Sequence, residues 1–132
     1  MKRTFMMLAL AAAAGQAQAQ TQAVDGKALF AKNCAACHQA TGAGIPGAFP
    51  ALKGNTFVQG DPAIVIATVL KGRAGMPAFA ASLDDDKLAS VISYVRSAWG
   101  NQAAAVTPAD VAATRTTASA ATATQEKSTI IH

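Results

Sequence analysis

The chain has 132 residues, is 52% hydrophobic and 14% charged, and carries eleven basic against seven acidic side chains, a formal net charge of +4. This length allows one modest domain with extensions, and alanine at both ends inflates the apolar share. The basic residues, among them Lys27, Lys53, Lys71, Arg73 and Lys87, are scattered rather than gathered on one face, which excludes a nucleic-acid binder.

Residues 1–19 open with Lys2 and Arg3, continue through an apolar run from Phe5 to Ala14, and close on Ala17-Gln18-Ala19. That layout predicts a secretory signal peptide cleaved after Ala19 or Ala17. A membrane anchor would need roughly 18 to 20 apolar residues, about twice this run. The mature chain is therefore expected in the periplasm, with no membrane span after cleavage. Without Lys2 and Arg3 the eleven basic residues become nine, and the net charge falls to about +2.

Asp25 is a cap for a first helix reaching about Asn33, with Gly26 and Phe30 one turn apart on a single face. Directly after it comes Cys34-Ala35-Ala36-Cys37-His38. Two thiols at this spacing on a helical turn reach both vinyl groups along one porphyrin edge, and the next histidine is carried under the ring to bind iron. Three rival readings exist. A thioredoxin-like redox pair needs a strand leading into the site and alternating strands and helices around it. A zinc site needs a second ligand pair, and the only other histidine is His132. A structural disulfide leaves His38 unexplained and closes too short a loop to contribute much. Covalent haem c, one per chain, accounts for all three residues.

Asp61 and Pro62 read as the cap and first residue of a helix ending at Lys71, with Gly72 as its stop. The loop beyond holds Met76, the only methionine of the mature chain, between Gly75 and Pro77. A methionine in such a loop is either soft core filler or the second axial ligand. Its placement in a loop, away from any apolar helix face, favours the ligand, giving His38 and Met76 as the metal ligands. Ser82-Leu83-Asp84-Asp85 then resembles a capping box, and Leu88, Val91, Ile92, Val95 and Trp99 recur at helical spacing. Trp99 either covers a haem edge or closes the core. The haem-binding domain is placed at residues 20–101. Residues 102–132 are expected to be a low-complexity tail with one short helix over 108–115.

The attachment motif followed some 40 residues later by Gly75-Met76-Pro77 resembles class I c-type cytochromes over roughly residues 24 to 101. The resemblance implies an all-α fold of three to four helices wrapped around one covalently bound haem. It implies that the first and last helices cross at right angles, bringing Gly26 and Phe30 against Tyr94. It places Pro50 where a proline carbonyl accepts the imidazole N–H, with Pro46 as a competing candidate, and Leu52 where an apolar side chain packs on the ring. An iron-bound histidine needs such an acceptor to fix its tautomer and orientation. The run from Tyr94 to Asn101, with Val106 to Val111 after it, looks like cytochrome subunits that accept electrons from periplasmic dehydrogenases.

The expected function is one-electron transport between redox protein partners, a dehydrogenase donor and a respiratory acceptor, with no catalytic residues of its own. The alternative is an electron-accepting subunit bound tightly in a dehydrogenase complex. A peroxidase or gas sensor would need an open distal position, and a peroxidase a spare histidine besides.

Overall fold

The computed structural model describes residues 24–129, with side chains described to residue 121. The expected leader and His132 lie outside these residues. Five α-helices and one 3-10 turn occur among them, and no strand.

Helix α1, Gly26–Asn33, starts where the Asp25 carboxylate accepts from the N–H groups of Lys27 and Ala28 at 2.9 and 3.1 Å. Its last bond runs from the Cys34 N–H to the Phe30 carbonyl, and the single turn α2, Ala35–His38, follows at once. Helix α3, Pro62–Lys71, is capped by Asp61, whose carboxylate accepts from Ala63 N–H at 2.9 Å. Helix α4, Asp85–Ser97, is capped by Asp84 rather than by Ser82. Ser82 lies two residues too early and gives its hydroxyl to the Phe79 carbonyl. The Lys87 side chain, and then its backbone N–H, hold the Asp84 carboxyl below its ordinary pKa.

The apolar face of α4 does not run unbroken to Trp99. The chain leaves the helix in the 3-10 turn Ala98–Gly100, where Trp99 takes a left-handed φ of 54°. Its ring meets Phe30 and Tyr94 at centroid distances of 5.1 and 5.5 Å, and its indole N–H reaches the Ala40 carbonyl at 3.2 Å. Phe30 and Tyr94 are themselves 5.7 Å apart, so an aromatic trio joins α1 to α4.

Helix α5 spans Pro108–Thr129 and so does not stop at residue 115. Alanine has the best helix propensity, and the hydroxyls of Thr114, Thr116 and Thr117 bond back to carbonyls one turn earlier. Docking supplies the nucleus that a lone alanine-rich segment lacks. Val106 and Val111 are buried in the same core as Phe30, Ile66 and Leu88. The packed unit therefore runs past residue 101, at least to Arg115.

Candidate haem site

Cys34, Cys37 and His38 share one helical turn, with the His38 N–H bonded to the Cys34 carbonyl at 3.0 Å. Both thiols are free and half-buried. Burial, and secondarily the neighbouring Cys37, push the Cys34 thiol up to about 11. His38 is only 9% exposed, and its Nδ1 lies 2.9 Å from the Pro50 carbonyl oxygen. A carbonyl can only accept, so Nδ1 carries the proton and Nε2 keeps the lone pair that a metal requires.

The intervening loop delivers Pro50 to this position. Gly44 N–H bonds the His38 carbonyl at 3.0 Å, Ile45 and Phe49 exchange two backbone bonds, and Leu52 N–H returns to the Gly42 carbonyl at 2.8 Å. The chain thus folds back on itself, with residue 50 beside residue 38. Pro46 sits at the far end of the tight turn, lining a concavity with Ala48 and Phe49, and makes no bond to His38.

Met76 is carried separately, on the loop after α3. Arg73 and Met76 exchange backbone bonds at 3.2 and 2.9 Å, closing a tight turn, and the Met76 side chain is half-buried. Gly72 is required at its entrance. Its φ is 73°, and a Cβ there would lie 2.5 Å from the Met76 carbonyl oxygen. The Arg73 guanidinium stands over the Phe57 ring at 5.9 Å, tying this loop to the 53–60 loop. Among the described residues no hydrogen bond joins Met76 to the His38 turn.

Two further residues hold these loops and were not singled out from the sequence. Arg96, 3% exposed, donates to the carbonyls of Ala104, Val58 and Gly60 at 2.8, 2.7 and 3.0 Å. Asn101, also 3% exposed, accepts from Gly54 N–H and donates to the carbonyls of Leu52 and Val95. Leu52 is thereby fixed beside the His38 loop. Arg96 stands one and two turns beyond Ile92 and Leu88 on the buried face of α4, and that spacing is the signal that could have found it.

The donor set suits a covalently held haem: two free thiols on one turn, a buried imidazole with Nε2 available, and a thioether on a second loop. Ile45, Phe49 and Phe57, on the loops that follow the thiols, are 37 to 40% exposed and offer apolar area beside it. No group of three or more His, Cys, Asp or Glu placed to hold a metal ion by themselves occurs among the described residues. No described helix is long and apolar enough to cross a membrane.

Comparison with known proteins agrees with this chemistry. The chain is 36% identical over 117 residues to cytochrome c-552 of Thermus thermophilus, covering 76% of this chain and 74% of that one. It is 33% identical over 110 residues to the cytochrome c subunit of a quinone alcohol dehydrogenase from Gluconacetobacter polyoxogenes, and 38% identical over 101 residues to the fructose dehydrogenase cytochrome subunit of Gluconobacter japonicus. Those matches cover 74% and 65% of this chain but only 24% and 21% of the subunits, so the chain spans about a quarter of their length. A sequence model of the family described as Cytochrome C oxidase, cbb3-type, subunit III matches residues 21–95. That is more than half of the chain, which therefore belongs to this family of c-type cytochromes, whose cofactor is covalently bound haem c.

Proposed function

We propose that the chain is a periplasmic one-electron carrier in which Cys34 and Cys37 hold a single haem c, His38 and Met76 ligate its iron, and Leu52 packs on the ring. The observation that carries this reading is the 2.9 Å bond from His38 Nδ1 to the Pro50 carbonyl, on the same turn as both thiols. The haem supplies an iron that cycles between ferrous and ferric states. Pro50 fixes the imidazole's tautomer and raises its basicity. Met76 would hold the iron's remaining position, which would favour electron transfer over oxygen chemistry, and its thioether, a poor donor to ferric iron, would raise the potential. Lys27, Lys32, Lys53, Lys71 and Arg73 are all exposed, suiting brief encounters with acidic redox partners. Export rests on the leader at residues 1–19, and mature protein should begin near residue 20.

A second reading, a subunit held tightly in a dehydrogenase complex with the same haem chemistry, is favoured by the identity to the alcohol and fructose dehydrogenase cytochrome subunits. The test of the haem site is direct. Haem should stay with the protein in acidified acetone, ferrous wild type should not bind carbon monoxide, and Met76→Ala should bind it stoichiometrically at a lowered potential. Haem that extracts while both cysteines are intact, or wild type that binds carbon monoxide rapidly, would overturn the reading.

A further inference from the structure

Arg115 is anchored more elaborately than any other described side chain of α5. Its Nη1 donates to the Ala80 carbonyl at 2.6 Å, its Nη2 to the Leu83 carbonyl at 3.1 Å, and its Nε to an Asp85 carboxylate oxygen at 3.0 Å. Ala80 and Leu83 lie on the stretch through which the chain leaves the Met76 loop, and Asp85 is the first residue of α4. The entrance of that loop is rigid, because Gly72 is pressed against the Met76 carbonyl and bonded to the Thr68 carbonyl at the end of α3. The exit is held to α3 by two backbone bonds, Phe79 N–H to Val69 O at 3.1 Å and Ala80 N–H to Leu70 O at 3.2 Å, and beyond them by Arg115. A guanidinium fork has fixed spacing between its donors, so it holds the two carbonyls and the carboxylate in one geometry, as a lysine could not.

We propose that Arg115 is a positioning residue for the distal ligand: the docked α5 fastens the exit of the Met76 loop and so sets how readily Met76 leaves the iron. This rests on the reading of Met76 as that ligand. An outside base such as imidazole binds ferric iron only after Met76 has swung away, so its apparent affinity is the intrinsic affinity multiplied by the open fraction. Losing the guanidinium's three charge-assisted bonds in a half-exposed setting should raise that fraction roughly tenfold.

The experiment is an imidazole titration of ferric holoprotein, followed by the haem spectrum, on wild type, Arg115→Gln, Arg115→Lys, Met76→Ala and the core variant Val91→Ala. Arg115→Gln should bind imidazole about tenfold more tightly than wild type. Its methionine-to-iron charge-transfer band should also be lost at lower temperature. Arg115→Lys should shift less, and it serves alone if Arg115→Gln does not fold. Val91→Ala, which loosens the core but leaves the Arg115 bonds to Ala80, Leu83 and Asp85 in place, should bind as wild type does. Arg115 variants that match Val91→Ala would overturn the proposal while leaving the ligand reading intact. If Met76→Ala binds imidazole no better than wild type, the ligand reading itself falls, and the proposal with it.

Discussion

Where α1 meets α4 there is room for a hydrogen but not for a methyl group. A Cβ on Gly26 would lie 2.3 Å from the Ser90 carbonyl oxygen and 3.0 Å from the Tyr94 Cβ. The nearest atoms are backbone in the middle of a helix and cannot yield as the tip of a side chain can. Gly26→Ala should therefore push the helices apart at a cost of about 2–3 kcal/mol, the upper range for overpacking. In a domain of this size that is a melting point lower by roughly 10–20 °C. The haem spectrum at low temperature should be unchanged, because the His38 turn is not part of the crossing. A thermal melt that barely moves would mean the two helices slide apart freely. At the same scale, Arg96 places a guanidinium among three carbonyls with no carboxylate beside it. The sequence holds the spacing signal, yet an arginine on a helix is ordinarily read as solvated. Asn101 gives no signal at all, since its partners at residues 52, 54 and 95 are brought to it only by the completed fold.

At the scale of elements, α1 and α3 are legible because an aspartate caps each one, and Gly72 stops the second. The start of α4 is legible to within two residues, since Ser82, Asp84 and Asp85 all have capping chemistry and only packing selects Asp84. The pairing of an imidazole with a proline carbonyl could be foreseen, but the choice between Pro46 and Pro50 rests on the Ile45–Phe49 turn, a tertiary detail. Helix α5 is the least legible element. Its alanine and threonine run is compatible with both a helix and a low-complexity tail, and what decides is the docking of Val106, Val111 and Arg115. A truncation series separates the docked turns from the rest. Removing residues 116–132 should change stability by less than about 0.5 kcal/mol, as for surface changes. Removing residues 106–132 takes away two buried valines and the Arg115 fork, and should cost about 4–5 kcal/mol. Equal losses in the two truncations, measured by denaturant unfolding of holoprotein, would place the docking beyond residue 115 instead.

At the scale of the whole molecule, the exposed lysines and Arg73 give a small positive excess, which the haem propionates partly offset. Charge steering should therefore be real but shallow. Screening acts over about 8 Å at physiological ionic strength, so association with an acidic partner should slow modestly as salt rises. Stopped-flow reduction by a dehydrogenase of the same cell, across a salt series, measures this. Rates that stay flat or rise would exclude lysine steering and favour the tightly bound subunit.

The crowding of Cys34, Cys37 and His38 onto one helical turn has a kinetic consequence. Under the proposed attachment, thioethers at Cys34 and Cys37 would keep the iron at a high effective concentration near His38 even in an unfolded chain, because only a few residues separate tether from ligand. Met76, the proposed second ligand, would enjoy no such proximity, for its return must close a loop that begins at residue 38 and carries the entropic cost of its length. The two axial bonds should therefore form in a fixed order on refolding, proximal first, while the distal one waits for α3 and the residue 72–83 stretch to settle. During that interval the iron would have one position open to any base in solution, and the last step of folding would be the exclusion of that competitor.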